Sequence, residues 1–285
     1  MVDMDIEQSY LPLGKQLAAN GMKIFFYRTF VQSTKHAAEK KTRDKAIRSL
    51  RKFLSTGSNL NETELIKLWK GLFYCYWMSD KPLIQQTLAN DLGELVMEMP
   101  AANAIPFLKA CWQIHCQQWH GLDRIRLDKY YLLLRRIIYF SFQFLARESW
   151  DQVYLEAYTD MLIEGPLSPT DRKNPDAIRY HVIDLYFEEL EKVLDDVRAK
   201  LKDADDLDVP MEELSRPLTV LAKEGCHKFL RNKAKEALEA HVKEMAAMAE
   251  VSDDEDEEAF REQDQEDQDK DEDDEDDEDD EDDEE

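Results

Sequence analysis

Glycine and proline are scarce in this chain of 285 residues, which contains 8 glycines and 9 prolines. These two residue types mark most tight turns, so their scarcity predicts few turns and long regular elements. The chain also lacks an uninterrupted apolar run of about 18 residues or more, which a membrane-spanning helix requires. Its first residues carry acids and no basic stretch ahead of an apolar run, which argues against a secretory signal. We therefore expect no contact with a membrane.

Cysteine is rare as well, and the way it is placed bears on metal binding. The four cysteines are Cys75, Cys111, Cys116 and Cys226. All of them fall in helical patterns, so we expect reduced, buried thiols of the kind found in cytosol or nucleus. On one helix, Cys111 and His115 share a face, while Cys116 and His120 share another. Four ligands cannot converge on one ion from that arrangement, and we expect neither a metal site nor a cofactor.

Catalytic motifs are missing too, since the chain contains no glycine-rich phosphate loop and no nucleophile elbow. The acid pairs Glu188–Glu189 and Asp195–Asp196 follow regular helical spacing, which favours solvated faces over a general acid and base. Tryptophans at helical spacing are typical of core anchors, and a stacking platform for RNA bases is the alternative. These tryptophans are Trp69, Trp77, Trp112, Trp119 and Trp150. We predict a protein that is not an enzyme and has no small-molecule substrate.

Apolar residues recur at helical spacing along most of the chain. One face is formed by Leu65, Leu68, Trp69, Leu72, Phe73 and Tyr76. Between Tyr130 and Leu145, 12 of 16 residues are apolar, which predicts a helix that is buried on more than one side at the centre of the molecule. Period-2 alternation long enough for a strand is missing. The pattern predicts an all-α fold, either a HEAT-like helical-repeat solenoid or an irregular helical bundle.

The negative charge of the chain belongs to its C-terminal end. The segment from Asp253 to Glu285 holds 26 acidic and two basic residues, a net charge of −24 out of −26 for the whole chain. Such a composition favours a disordered acidic tail. We expect a flexible N-terminus at 1–14, a helical scaffold domain at 15–250 and the tail at 251–285. Because acids repel phosphate and attract cations, the tail suggests a chaperone for histones or ribosomal proteins as an alternative function.

Basic residues are concentrated ahead of the first apolar helix face. The segment 40–52 contains seven basic residues and a single acidic one, Asp44. The basic residues are Lys40, Lys41, Arg43, Lys45, Arg48, Arg51 and Lys52. Cations on one helix face suit the phosphate backbone of RNA, while a solubilising surface is the alternative interpretation. A second group consists of Arg124, Arg126, Lys129, Arg135 and Arg136. We expect structural pairing as its role, with some of its members paired to Asp123 and Asp128 at helical spacing.

Two long runs resemble hallmarks of the ribosomal RNA-processing protein 1 family. The first covers residues 68–82 and the second residues 119–129, and the segments 42–54 and 174–190 are similar to further parts of that family. The hallmark and core positions in this sequence are Trp69, Gly71, Trp77, Asp80, Lys81, Pro82, Trp119, Asp123, Arg126, Asp128, Lys129, Arg135 and Arg136. The resemblance spans roughly residues 15–200. One departure is the stretch Gly21 to Lys40, which is either an insertion or a gene-model artefact.

The resemblance implies a function as well as a fold. Members of that family are nuclear, nucleolar factors of the precursor large ribosomal subunit, and they act as scaffolds without a known catalytic site. The implied partners are pre-ribosomal RNA, other large-subunit assembly factors and ribosomal proteins. We therefore expect a non-catalytic assembly factor that is required for rRNA processing and ribosome biogenesis.

Overall fold

Helices account for most of the residues that the computed structural model describes, which are 40–57, 60–200 and 208–247. The helices are α1 (Lys40–Ser55), α2 (Glu62–Trp77), α3 (Pro82–Glu94), α4 (Ala101–Gln118), α5 (Arg124–Arg147), α6 (Gln152–Glu164), α7 (Asp176–Arg198), α8 (Met211–Glu224) and α9 (228–247). Two short 3-10 turns, Leu95–Glu98 and Trp119–Gly121, follow α3 and α4. These residues include no β-strand, and the all-α prediction is confirmed.

Local signals in the sequence set several of the helix starts. The Asn61 side chain accepts the backbone N–H of Glu64 at 3.0 Å, and the Glu64 carboxylate accepts the N–H of Asn61 at 3.1 Å. This capping box satisfies backbone donors that the first turn of α2 leaves free. Pro82 is the first residue of α3, where a missing N–H costs nothing. The Asp123 carboxylate caps α5 by accepting the N–H of Arg126 at 3.0 Å.

Helices that are two apart in the chain pack against each other, and this contact pattern builds two layers. One layer contains α2, α4, α6 and α8, and the other contains α3, α5 and α7. Helix α1 packs against the 3-10 turn Leu95–Glu98. A regular alternation of this kind is the arrangement of a stacked helical repeat. It favours the HEAT-like solenoid over the irregular bundle.

Helix α5 lies between α3 and α7 and is buried along two faces. The pairs Leu133–Leu134 and Ile137–Ile138 are fully inaccessible to solvent. Its approach to α3 depends on Gly93, because a Cβ there would lie 2.7 Å from the Phe140 ring and 3.0 Å from the Arg136 carbonyl oxygen. Only a residue without a side chain allows this contact. The prediction of a central helix over this segment is confirmed.

Burial of the tryptophans and cysteines departs from expectation at three positions. Four of the five tryptophans are buried, but Trp77 is only half-buried because it ends α2 at the surface. Cys75 and Cys111 are buried, whereas Cys116 and Cys226 are half-buried. All four thiols are free, as predicted.

Several predicted segments lie outside the described residues. They are the flexible N-terminus 1–14, the stretch 21–39 and the acidic tail 251–285; the side chains of Lys40, Lys41 and Arg43 are likewise outside the description. The chain divides into two units, Met1–Ala237 and Leu238–Glu285. The contacts below belong to the first, and in the second residues 238–247 are helical. None of the described helices combines the length and the apolar character needed to cross a membrane.

Candidate nucleic-acid interface

Helix α1 separates an apolar face from a basic one. Ala46, Ile47, Leu50 and Leu54 are buried, whereas Lys45, Arg48 and Lys52 are exposed. The three cations are spaced by three and four residues, so they share one face and extend over about 10 Å of helix axis. Within the described ranges, none of the three takes part in an ion pair. We call these three residues the α1 basic face.

Arg51 belongs to the same helix but not to that face. Its guanidinium forms ion pairs with Asp91 and Glu98 at 3.1 Å each, and a third with Glu94. These carboxylates lie in α3 and in the 3-10 turn that follows it, so the contact fastens α1 to its neighbours. Because the positive charge is already compensated, Arg51 is not available to phosphate. The prediction that it contacts RNA is not supported by this geometry, and we leave it out of the proposed surface.

Three of the five basic residues of α5, Arg126, Lys129 and Arg135, make contacts inside the protein. Arg124 is exposed, and neither it nor the half-buried Arg136 takes part in an ion pair within the described residues. Arg126 forms an ion pair with Asp123, and its guanidinium lies 4.7 Å from the centre of the Trp77 ring. Lys129 is buried, and its ammonium donates hydrogen bonds of 2.7 Å to the carbonyl oxygens of Trp77 and Ser79. Lys129 therefore satisfies backbone acceptors at the end of α2, where the helix macrodipole also favours a cation.

Burial has an electrostatic cost at Lys129. Loss of solvent and, to a smaller extent, the nearby Arg126 lower the pKa of its ammonium, Asp80 and Asp123 oppose the shift, and the resulting pKa is about 8. Tyr76 reinforces the same junction, because its hydroxyl donates a hydrogen bond of 2.8 Å to the Lys129 carbonyl. The two hallmark runs thus meet in space, at the end of α2 and the start of α5.

Arg135 is paired with α7 and not with Asp123 or Asp128, the partners expected for some of this group. Its guanidinium donates to Glu189 at 2.6 Å and also contacts Glu188, while Lys192 contacts the same two carboxylates at 2.7 and 2.8 Å. Glu189 is completely buried, so the expectation of a solvated face is wrong for this residue. Sequence spacing could not reveal it, because Arg135 and Glu189 are 54 positions apart.

The remaining hallmark residues are distributed between core and surface. Trp69 packs against Phe107 with ring centres 4.9 Å apart, and Trp119 packs against Tyr131 at 5.2 Å. Gly71 is buried in α2, and Arg136 is half-buried in α5. The exposed hallmark positions are Asp80, Lys81, Pro82 and Asp128. Most of the hallmark residues whose contacts are known thus hold the helices together.

His115 is buried in α4, and its surroundings are aromatic. Its Nδ1 lies 2.8 Å from the Cys111 carbonyl and 3.5 Å from the Cys111 sulfur. Burial lowers the pKa of the imidazole to about 4, so the ring is neutral at physiological pH. Rings of Trp69, Phe73 and Tyr130 surround it at centre distances of 5.5 to 6.0 Å. His115 therefore serves as a core residue.

A cluster that the sequence did not reveal brings together Asp176, Cys226 and His227, with ligand atoms within 4.8 Å of one another. The His227 Nδ1 accepts the backbone N–H of Leu230 at 3.1 Å, and its Nε2 lies 3.3 Å from the Asp176 carboxylate. With Nδ1 engaged as an acceptor, the neutral ring carries its proton on Nε2. A metal ion on Nε2 would require loss of that proton or of the cap. We assign the cluster to capping of α9.

Comparison with known proteins agrees with the resemblance seen in the sequence. A family model described as "Nucleolar protein, Nop52" matches residues 29–285. The chain is 39% identical to ribosomal RNA processing protein 1 homolog B of Homo sapiens over 164 residues, which are 55% of this chain and 21% of that protein. For homolog A of Homo sapiens the identity is 38% over 161 residues, covering 54% of this chain and 35% of the relative.

A more distant relative is the ribosomal RNA processing protein 1 homolog of Drosophila melanogaster, with 33% identity over 156 residues, which are 53% of this chain and 22% of that protein. The chain thus spans about a fifth to a third of the length of these relatives. The family model, in contrast, matches most of the chain. The predicted family and the predicted nucleolar localisation are confirmed, and the chain belongs to the Nop52 family of nucleolar proteins.

Proposed function

We propose that this chain is a non-catalytic assembly factor of the precursor large (60S) ribosomal subunit that acts in rRNA processing. In this proposal its stacked helices form a platform for pre-ribosomal RNA, other assembly factors and ribosomal proteins. Membership in a nucleolar family and relatives named for ribosomal RNA processing support this role. The platform holds RNA through the α1 basic face.

The observation that carries the RNA contact is the difference in pairing among the basic residues. The α1 basic face consists of Lys45, Arg48 and Lys52, which are exposed and take part in no ion pair within the described residues. Phosphate contacts need accessible cations and little sequence readout, and three cations on one helix face meet that requirement. Such contacts also release counterions, so binding should weaken as the salt concentration rises.

The test replaces the three cations together by glutamine, in Lys45→Gln, Arg48→Gln and Lys52→Gln. A matched control variant carries Arg172→Gln, Lys200→Gln and Lys223→Gln, which remove the same charge from exposed positions that form no ion pair in the described structure. Affinity for single-stranded oligouridine is measured over a range of salt concentrations. Co-sedimentation with precursor large subunits is measured in parallel.

We expect the α1 variant to bind oligouridine more weakly and to show a shallower dependence on salt, by about 0.7 in logarithmic slope for each phosphate group that it no longer neutralises. It should also detach from precursor particles at a lower salt concentration than the control variant. Equal salt slopes for the two variants would disprove RNA contact by the α1 basic face. Spacer-RNA cleavage by the purified protein, abolished by one substitution, would disprove the non-catalytic role.

A second candidate function comes from the charge of the C-terminal segment. Its 26 acidic residues against two basic ones suit a chaperone for histones or ribosomal proteins. Deletion of residues 253–285 separates the two functions. Loss of basic-protein binding with particle association retained would assign chaperoning to the tail. Loss of particle association would make the chaperone function the leading one.

A further inference from the structure

A pocket of about 560 Å³ opens between helices α4 and α6 and the loop that follows α6. Its wall along α4 is one helix face that includes Trp112, Gln113 and Gln117, and Met161, Pro166 and Asn174 complete the other side. The volume falls within the range of ordinary ligand sites, about 300–1,000 Å³. The α1 basic face does not line it, and His120 is the one residue of the two hallmark runs in its lining. The proposed RNA contact therefore leaves this pocket without a role.

A buried arginine fixes the loop after α6, which forms one wall of the pocket. Arg179 is 1% exposed, and its guanidinium donates to the carbonyl oxygens of Asn174 at 2.8 Å and Ser168 at 2.9 Å, and to that of Asp171. The Asn174 amide in turn donates to the Gly165 carbonyl at 2.6 Å. These bonds fix the loop backbone, so the pocket is formed before any ligand arrives. A preformed site binds with a smaller loss of conformational entropy.

Charge is balanced at the mouth of the pocket. Lys109 forms an ion pair with Glu164 at 3.5 Å, and Lys173 is accompanied by Asp171, whose carboxylate accepts the Lys173 backbone N–H. Cys116 also lines the pocket, and burial raises the pKa of its thiol to about 12, so the thiol is uncharged at neutral pH. A ligand that carries phosphate would meet two carboxylates here, with one of the two lysines already paired. The site is therefore suited to an uncharged group.

Three amides are prominent among the uncharged polar groups of the lining. Gln113 and Gln117 are one turn apart on α4, Asn174 belongs to the loop after α6, and the carboxamide of each glutamine offers both donors and an acceptor. Amides of this kind match the alternating N–H and C=O groups of an extended peptide main chain. Trp112, Met161 and Pro166 also line the pocket, but all three are buried, so the apolar contact that they offer is small and suits at most one uncharged side chain.

We propose that this pocket binds an extended segment of a partner protein, which inserts one apolar or aromatic side chain while its main chain pairs with the glutamine amides. The proposal deepens the scaffold role and rests on it for the identity of the partner as an assembly component. The peptide contact itself is independent of the α1 basic face. Failure of one site is therefore distinguishable from failure of the other.

The test selects ligands for the full chain from a phage-displayed library of random dodecapeptides. Binding of the selected peptides is then measured for Gln117→Trp, which fills the mouth from an exposed position, and for Gln113→Ala, which removes an amide and leaves the pocket open. The matched control is Gln86→Trp, an exposed glutamine of α3 that lies outside the pocket. Thermal melting verifies that each variant is folded, and oligouridine binding is measured with the same proteins.

We expect selected peptides that share one uncharged apolar or aromatic residue and that bind Gln117→Trp about tenfold or more weakly. Binding to Gln113→Ala should weaken several-fold, and Gln86→Trp should bind like the unmodified chain. Oligouridine binding should be unchanged by all three. Peptides that bind Gln117→Trp as well as the unmodified chain would overturn the proposal. So would failure to select any peptide, or a loss of oligouridine binding that is specific to the two pocket variants.

Discussion

Helices α1 and α5 both carry rows of basic residues, yet the tertiary structure uses the two rows in opposite ways. On α1, Lys45, Arg48 and Lys52 point into solvent and take part in no ion pair within the described residues. On α5, Lys129 is buried against backbone carbonyls and Arg135 reaches a buried carboxylate on α7. The three cations of α1 are accessible to a partner molecule, while Lys129 and Arg135 of α5 stabilise the protein itself.

The difference follows from the position of each helix. Helix α5 has neighbours on two sides, so its long cationic side chains find acceptors within reach, whereas α1 contacts mainly one 3-10 turn. Arg51 lies on α1 but resembles the paired cations of α5, because it forms ion pairs with three carboxylates of the adjoining segment. A count of positive charges along a sequence therefore overstates the surface that RNA can reach.

Arg135→Met should have the largest effect on stability. Among the described residues it leaves the buried carboxylate of Glu189 with Lys192 as its one ionic partner, and loss of one member of a buried pair costs about 3–5 kcal/mol. Since Arg135 is itself partly exposed, we expect the lower end of that range. Urea denaturation measures the change in the free energy of unfolding.

A second variant sharpens this result, because it removes the buried charge together with its partner. The double variant Arg135→Met with Glu189→Met should recover a large part of the missing stability. A decrease below about 0.5 kcal/mol for Arg135→Met alone would show that this arginine behaves like the exposed cations of α1.

Lys129→Met should cost about 1–3 kcal/mol, because it leaves the carbonyl oxygens of Trp77 and Ser79 without their donor. Amide hydrogen exchange should accelerate at the end of α2 and at the start of α5 and remain unchanged in α7. A uniform increase over all helices would instead indicate a global loss of stability with no local junction.

The pH dependence of the same residue gives an independent check. The folded-state pKa of Lys129 is about 8, below the ordinary lysine value of 10.5. Between those pH values the unfolded chain binds more protons than the folded chain, so the free energy of unfolding rises with pH, by at most about 3 kcal/mol. Denaturation of the unmodified chain and of Lys129→Met at pH 7.5 and 10 isolates this contribution. An equal pH dependence in both proteins would refute the depressed pKa.

Arg51→Met should have a smaller effect, about 1 kcal/mol, because its ion pairs are partly exposed and screened by solvent. Its expected signature is faster exchange confined to α1, since the contact fastens this helix to the rest. High salt should reduce the difference between variant and unmodified chain. A difference that persists unchanged in concentrated salt would point to packing of the arginine stem as the cause.

Neutralising the α1 basic face should change stability least, by less than about 0.5 kcal/mol. The triple glutamine variant removes cations that form no ion pair in the described residues, so the unfolding transition should stay where it is. The change in stability is measured from melting curves of this variant and of the matched control at Arg172, Lys200 and Lys223. A clear loss of stability would contradict the division between accessible and structural cations.

Sequence reasoning succeeded where the controlling interaction is local. Asn61 and Asp123 cap their helices and Pro82 begins α3 through interactions within one helical turn, which is the range over which neighbouring residues determine structure. The buried face of α1 and the central position of α5 follow from apolar spacing alone. The membership in the family was visible for a related reason, because long ordered runs of letters carry it.

Contacts between distant parts of the chain could not be predicted from the spacing of neighbouring residues. Spacing placed Arg51 among the phosphate-binding cations and Glu189 on a solvated face, while the packing of α1 and of α5 against their neighbours reversed both assignments. Trp77 was expected in the core and lies half-exposed at the end of its helix. The pocket beside Trp112 and the contact between Asp176 and His227 join segments about 50 residues apart, so they could not be predicted from neighbouring residues.

By itself, the amino-acid sequence determined the helical class of this protein, its separation into a nearly neutral body and an acidic end, and its family. Periodicity, capping and composition are properties of neighbouring residues, and they act before the chain is compact. For Arg51 and Arg135, the tertiary structure alone decided that the cation is paired within the protein and not accessible to a partner. The physical reason is that a charge is neutralised by whatever lies within a few ångströms of it, and the groups that neutralise Arg51 and Arg135 lie 40 to 54 residues away along the chain.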